Sequence, residues 1–139
     1  MSLKSWADKG RIQKVAFSEK SLKDLLQLVE RDLKDSKIDA LSPDRRFATA
    51  YGAAMNLANY VIRREGYRVA AKAGHHKITF EIAGALLGKK STQFIKYFDL
   101  CRRKRNKVDY DRTDVVSETQ VNELIKAVEK FKELILEPN

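Results

Sequence analysis

Apolar residues recur at intervals of three and four positions along most of this chain, which is the spacing of an amphipathic helix. The predicted start signals are, in chain order, Ser21, Ser42-Pro43, Ser91 or Thr92, and the capping box Ser117–Gln120. The stripe residues are Leu22, Leu25, Leu26, Val29 and Leu33, then Phe47, Ala50, Tyr51, Ala54, Ala58, Val61 and Ile62, then Ile78, Ile82, Ala85 and Leu86, then Phe94, Phe98 and Cys101, then Val121, Leu124, Ile125, Val128, Phe131 and Ile135. The pattern predicts an all-α antiparallel bundle of about five helices, of which the third is short.

Two segments of the chain do not follow this helical pattern. Residues 1–17 form an N-terminal extension whose conformation the sequence does not determine. Its large apolar residues, which would cover one end of the core, are Trp6, Ile12, Val15 and Phe17. Residues 67–77 are expected to form a structured loop, and no run shows the alternation of a β-strand. Because 139 residues suit a single core, we expect residues 1–139 to form one domain.

The chain is strongly basic, with a net charge of +9 and an isoelectric point near 9.7. This balance favours a polyanionic partner, and RNA, DNA or an acidic protein is preferred over a membrane surface. No apolar run approaches the ~18 residues that span a bilayer, and no signal-peptide pattern opens the sequence. The lone cysteine, Cys101, is expected to fill the core, which fits a reducing cytoplasm.

The stretch 101–112 carries six basic side chains and is the most informative for function. Arg105 continues the stripe of Phe94, Phe98 and Cys101 and therefore falls on the inward face of the fourth predicted helix. Burying an unpaired charge costs several kcal/mol. This arginine must therefore find an anion, a partner chain or a cavity, or else extend past the core edge to water.

The residues beside Arg105 have two interpretations. The four cations around it form either a solvated face that complements the helix C-terminus or a set of phosphate-binding groups; they are Arg102, Arg103, Lys104 and Lys107. Asn106 can bind phosphate or base edges, and Tyr110 can stack on a base or donate its hydroxyl. The sequence therefore predicts a nucleic-acid interface at this end of the helix.

No metal site and no cofactor are predicted. His75 and His76 are adjacent, whereas two histidines that bind one metal from a helix are spaced i, i+4. The two histidines are interpreted either as hydrogen-bonding residues of the loop and the helix start or as nucleic-acid contacts. No Gly-rich phosphate loop, Ser/His/Asp pattern or helix-turn-helix turn is evident.

The sequence from Arg105 to Tyr110 resembles the signature of the higher-eukaryote and prokaryote nucleotide-binding (HEPN) superfamily of small all-α bundles. That signature is an Arg near the end of the fourth helix, often followed by Asn, with a His four to six residues later. Arg105-Asn106 match its start, and Gly66-Tyr67-Arg68 with Gly74-His75-His76 resemble a loop of bacterial members. The resemblance covers roughly residues 20–136.

Members of this superfamily usually form two-fold dimers whose motifs face a shared cleft. Many are metal-independent ribonucleases, and several are toxins paired with a minimal nucleotidyltransferase antitoxin. In active members the Arg holds the scissile phosphate and the His helps to activate the 2′-hydroxyl or to protonate the leaving group. The resemblance implies that the catalytic positions are Arg105 and Tyr110, with Tyr at the place of the His. The implied binding residues for RNA or a nucleotide are Arg68, His75, His76, Arg102, Arg103, Arg105, Asn106 and Lys107.

Three hypotheses follow. Because a phenol with a pKa near 10 is a poor base at neutral pH, the first is a toxin-type RNA- or nucleotide-binding domain with a degenerate ribonuclease motif. The second is an active metal-independent ribonuclease in which Tyr110, His75 or His76 replaces the base, and a histidine close to Arg105 would favour it. The third is a helical module that binds an acidic protein. A homodimer is expected from Arg105 and from the Ala/Gly-rich face of the second helix.

Overall fold

Six α-helices and a two-stranded sheet form the part of the chain that the computed structural model describes, residues 2–110 and 115–138, with the backbone alone for 108–110. The elements are α1 (Leu3–Asp8), β1 (Ile12–Lys14), α2 (Glu19–Ser36), α3 (Pro43–Arg64), β2 (Tyr67–Val69), α4 (His75–Leu87), α5 (Thr92–Tyr110) and α6 (Glu118–Leu136). The predicted all-α bundle is confirmed, since α2 to α6 are the predicted helices and α1 is an additional short one. None of the helices described is both long enough and apolar enough to cross a membrane.

Serine side chains fix where three of the long helices begin. The Ser42 hydroxyl accepts a backbone N–H of the first turn of α3, and Pro43 is the first residue of that helix. The Ser117–Gln120 capping box of α6 is present as predicted, with both of its reciprocal bonds. The predicted cap of α2 is wrong, because Ser18 caps this helix and the Ser21 N–H donates to the Ser18 hydroxyl. Both serines carry the hydroxyl that a cap requires, so the residue type alone does not show which of the two caps the helix.

The central helix of the bundle is α3, which contacts α2, α4, α5 and α6. Its Ala50, Ala54 and Ala58 are fully buried, which lets the neighbouring helices approach closely. Gly52 on the same helix faces α2, and a Cβ added there would make an ordinary van der Waals contact with a carboxylate oxygen of Asp32, at 3.6 Å. This small-residue face was one ground for expecting a homodimer. That ground is wrong, because helices of the same chain already cover the face.

Aromatic side chains join α4, α5 and α6 in the core. Phe98 stacks on Phe80 with 5.5 Å between ring centroids and meets Phe131 edge-on at 5.1 Å. Cys101 lies one turn further along α5 and is buried, and this burial raises the pKa of its thiol to about 12. The prediction that Cys101 fills the core is therefore confirmed, and a thiol in this state is a poor nucleophile.

A second, smaller apolar cluster closes one end of the bundle. Trp6 and Ile12 of the N-terminal segment are buried against Ile62 of α3 and Ile82 of α4. Phe17, by contrast, is 61 % exposed, so the prediction that it covers the core is wrong. It lies in the connection between β1 and the Ser18 cap of α2.

The small sheet lies where no strand was predicted. β1 and β2 pair antiparallel with Gln13 opposite Arg68, and each strand has three residues, which is too short to show an alternating pattern. The loop predicted over 67–77 therefore contains β2, a turn and the start of α4 at His75. Gly74 at the helix cap has a φ of +76°, a left-handed conformation that favours glycine.

Candidate nucleic-acid interface

Arg105 lies near the end of α5 at the edge of the core. Phe98 and Cys101 on the same stripe are buried, whereas Arg105 is half-buried. Its guanidinium lies over the ring of Tyr51 from α3, with Cζ 5.9 Å from the ring centroid. Such a cation–π contact contributes roughly 0.5–1 kcal/mol at an exposed site and more where water is excluded. The predicted inward stripe therefore extends to Arg105 and holds its charge against an aromatic ring.

His76, in the first turn of α4, contacts the same tyrosine. Tyr51 Oη and His76 Nδ1 are 3.3 Å apart, and the two ring centroids are 6.0 Å apart. Tyr51 is only 2 % exposed, so its hydroxyl needs a partner inside the protein, and the imidazole supplies one. Either the phenol donates to Nδ1 or Nδ1–H donates to Oη, according to the tautomer of the ring.

Tyr51 thus joins a cation from α5 to an imidazole from α4. We call the set Tyr51, His75, His76, Arg102 and Arg105 the Arg105 cluster. It brings Arg105 and a histidine to the same aromatic side chain, and a histidine near Arg105 is the arrangement that would favour the enzyme hypothesis. The sequence motif predicted a partner for Arg105 further along α5, whereas this one comes from a different helix.

The electrostatics of the cluster keep His76 neutral. Burial lowers the pKa of His76 from 6.5, and the charges of His75, Arg105 and Arg102 lower it further. At neutral pH the imidazole therefore has a free nitrogen lone pair that can accept a proton. Burial also raises the pKa of Tyr51 above its usual range, because the two arginines oppose the effect only in part. Tyr51 therefore remains a phenol at neutral pH.

His75 is exposed and stands edge-on to His76, with 4.6 Å between ring centroids and 87° between ring planes. Its Nδ1 lies 3.0 Å from the carbonyl oxygen of Lys72. Because a carbonyl can only accept, Nδ1 carries the hydrogen, and Nε2 of the neutral ring is left as the acceptor. The interpretation of His75 as a residue that hydrogen-bonds the loop is confirmed, and the helix cap itself is Gly74.

Asp99 partly neutralises the basic surface beside the cluster. Its carboxylate accepts from Arg102 Nε at 3.1 Å and from Arg103 Nη2 at 3.0 Å. Arg102 is half-buried, whereas the side chain of Arg103 is largely exposed. The two arginines therefore point their donors at a carboxylate of their own helix, and an incoming phosphate would compete with it.

The remaining predicted site residues differ in how close they lie to the cluster. Asn106 is half-buried and Lys107 is exposed on the last turns of α5. Arg68 donates twice to the Gln13 side-chain oxygen, at 3.1 and 3.0 Å, so its bonds among the described residues lie in the sheet and not in the cluster. The side chain of Tyr110 lies outside the described residues.

Two residues of the site were not predicted from the sequence. Tyr51 was assigned to the buried face of its helix, which is correct, but its role as the common partner of His76 and Arg105 was missed. The available signal was its hydroxyl, since a phenol on a buried face needs a polar partner. Asp99 was missed as well, although its spacing from Arg102 and Arg103 at i+3 and i+4 predicts ion pairs on a helix.

The described residues hold no group of three or more His, Cys, Asp or Glu side chains placed to bind a metal ion. No protein-family model, no curated protein and no solved structure matches this chain. The Arg105 cluster itself is therefore the basis for a functional proposal.

Proposed function

We propose that this chain is a HEPN-type domain that binds RNA or a nucleotide through the Arg105 cluster. The observation that carries the proposal is the convergence of Arg105 and His76 on the ring of Tyr51. A guanidinium held at the core edge, beside further cations on the last turns of α5, suits a phosphate group. The net charge of +9 adds long-range attraction for a polyanion.

A second candidate function, metal-independent cleavage of RNA, is favoured by the state of His76. This imidazole shares Tyr51 with Arg105 and is neutral at neutral pH, so it can accept a proton from an RNA bound at Arg105. In this proposal His76 takes the role that the motif assigns to the position of Tyr110. A toxin-type role, with a nucleotidyltransferase-type antitoxin as the partner, is proposed from the resemblance alone.

Binding can be tested by the fluorescence anisotropy of a labelled single-stranded RNA at several salt concentrations. We expect weak binding that falls as salt rises, because lysines and arginines displace counterions from phosphates. Arg105→Ala should weaken binding by about tenfold, the ~1.4 kcal/mol typical of a lost charge-assisted contact. Lys104→Ala is the matched control, since Lys104 lines a separate groove of about 150 Å³ with Phe47 and Glu123. We expect it to weaken binding less than threefold.

Equal losses in the two variants would mean that RNA meets a diffuse positive surface and not the Arg105 cluster. Binding that does not change with salt would contradict phosphate recognition altogether. The absence of any RNA binding, together with capture of an acidic protein by the same surface, would instead support the third hypothesis.

A further inference from the structure

The small sheet joins two basic segments that lie far apart in the sequence. Residues 1–17 carry four Lys or Arg side chains and one Asp, and residues 67–77 carry three Lys or Arg and no acid. Together the two segments hold six of the nine net positive charges of the chain. The antiparallel pairing of β1 with β2 brings these charges to the same part of the surface.

The strand register places cations of the two segments beside each other. Gln13 lies opposite Arg68, and Lys14 lies opposite Tyr67. Lys14 and Arg68 are both exposed, whereas the buried side of the sheet is provided by Ile12 of β1. The outer side of the sheet is therefore basic.

The pairing continues past the other end of the two strands. The Ala70 N–H donates to the carbonyl oxygen of Arg11 at 2.8 Å. The Nζ of Lys72 lies against Gly10, only 2.9 Å from the position that a Cβ would take there. We call the cations gathered around the sheet the basic patch, and they are Lys9, Arg11, Lys14, Arg68 and Lys72.

The basic patch differs from the other charged surfaces of the molecule in having no acidic partners. On α5 the carboxylate of Asp99 pairs with two arginines, and across α2 and α6 Lys37 pairs with Glu129. Among the residues that the structure describes, no carboxylate forms an ion pair with a cation of the basic patch. A phosphate that reaches the patch therefore has no such ion pair to break, whereas on α5 it competes with Asp99.

The basic patch continues into the Arg105 cluster through Lys72. The carbonyl oxygen of Lys72 accepts both the backbone N–H and the Nδ1–H of His75, each at 3.0 Å. We propose that the basic patch extends the RNA site and binds the backbone of a single-stranded RNA several nucleotides long. This inference rests on the proposed function and selects a polynucleotide over the single nucleotide that the proposed function also allows. Continuity with the cluster favours one long polyanion over a separate contact with an anionic membrane.

An exposed aromatic ring beside the patch favours a single strand over a duplex. Phe17 is 61 % exposed and lies three residues after Lys14. The Val15 N–H donates to the Gly66 carbonyl oxygen at 2.9 Å, which holds this connection beside the start of β2. A ring in this position can stack on an unpaired base, whereas a duplex keeps its bases inside the helix.

The experiment compares the anisotropy of labelled single-stranded RNAs of about 4 and about 16 nucleotides, which bracket the usual site sizes of single-strand binding folds. The patch variant combines Lys9→Gln, Lys14→Gln and Lys72→Gln. We expect it to bind the longer RNA about tenfold or more weakly and the shorter RNA less than about threefold more weakly than the unaltered protein. Its salt dependence on the longer RNA should fall by about 2 in log–log slope, since each lost phosphate contact contributes about 0.7.

The control variant removes the same charge from exposed lysines of α2 and α6. It combines Lys34→Gln, Lys126→Gln and Lys130→Gln and should bind the longer RNA within about threefold of the unaltered protein. Phe17→Ala should weaken binding of the longer single strand about fivefold or more, as expected for one lost base stack, and should change duplex binding less than about twofold.

The outcomes distinguish this inference from the proposed function on which it rests. Equal losses in the patch and control variants would show that only the overall charge matters and would overturn the extended site. If the patch variant binds both RNAs normally while Arg105→Ala does not, the extended site fails and the proposed function stands. If the patch variant loses binding while Arg105→Ala keeps it, the patch binds RNA and the function proposed for the Arg105 cluster fails. If neither RNA binds but vesicles of phosphatidylcholine and phosphatidylserine do, the patch is a membrane-surface site and both RNA proposals fail.

Discussion

A single buried phenol connects three helices at the candidate site. Tyr51 takes its position from the apolar stripe of α3, and its hydroxyl and ring face then satisfy two different polar groups. The hydroxyl contacts His76, and the ring face receives the guanidinium of Arg105. An aromatic residue of this kind provides apolar burial and a polar contact at the same position. The site is therefore built from core packing as much as from surface charge.

The lowered pKa of His76 predicts how the stability of the free protein depends on pH. The unfolded chain binds a proton at His76 below about pH 6.5, whereas the folded chain resists that proton. The stabilising contribution is complete above the unfolded pKa and is lost as the pH falls toward the folded pKa. We expect the free energy of unfolding in urea to decrease between pH 7.5 and pH 5.

The His76→Gln variant should show a flatter dependence over the same pH range, because glutamine does not titrate. His75→Gln is the matched control on the neighbouring exposed position and should keep more of the slope. Identical slopes in the unaltered protein and in His76→Gln would mean that this imidazole is equally easy to protonate in the folded and unfolded chains.

At the same scale, the sequence predicted which side of α5 carries Arg105 but not what lies against it. A stripe fixes the direction of a side chain within its own helix, and so Arg105 follows Phe98 and Cys101 inward. The contact with Tyr51 depends on the crossing of α3 and α5, which no local spacing encodes. Ion pairs between residues three or four positions apart on one helix, by contrast, follow from local spacing. The pairing of Asp99 with two arginines could therefore have been predicted from the sequence.

At the scale of elements, Arg46 links the end of α2 to the start of α6. It is 4 % exposed, and its Nε donates to the Ser36 carbonyl oxygen at 2.8 Å. Its Nη1 donates to the Glu118 carboxylate at 2.7 Å. A carbonyl at a helix end has no partner within its own helix, so the guanidinium supplies one. The buried guanidinium of Arg46 therefore joins α2, α3 and α6 at one point.

We expect Arg46→Ala to lower the free energy of unfolding by roughly 2–4 kcal/mol, because it leaves the Ser36 carbonyl without this donor and opens a gap in the junction. Arg45→Ala changes the exposed neighbour and should stay within about 0.5 kcal/mol of the unaltered protein. Urea denaturation followed by circular dichroism measures both values. A loss no larger than that of Arg45→Ala would show that water replaces the guanidinium at little cost.

The elements that the sequence predicted well are those with long periodic patterns. The five predicted helices span enough turns for a stripe to be evident, and Ser42-Pro43 and the Ser117–Gln120 capping box fix the starts of α3 and α6 chemically. The six residues of α1 and the three of each strand are too few for a period to show. Their placement depends on the burial of Trp6 and Ile12 against the finished bundle.

At the scale of the whole molecule, charge governs how copies of this chain meet each other and meet RNA. Each chain carries a net charge of +9, so two chains repel at low salt. Salt screens that repulsion, whereas it weakens the attraction between cations and RNA phosphates. The two associations should therefore respond to salt in opposite directions.

We predict a two-fold dimer that forms through the surface around Arg105, since the small-residue face of α3 is covered within the chain. Sedimentation velocity at micromolar concentration should show a species of twice 16.0 kDa, and its fraction should rise between 50 and 500 mM salt. Arg105→Glu should shift this salt dependence, because it replaces a positive charge with a negative one at the proposed contact. Lys20→Glu, on the exposed first turn of α2, makes the same charge change elsewhere and should shift it less. A single 16.0 kDa species at every salt concentration would contradict the predicted dimer.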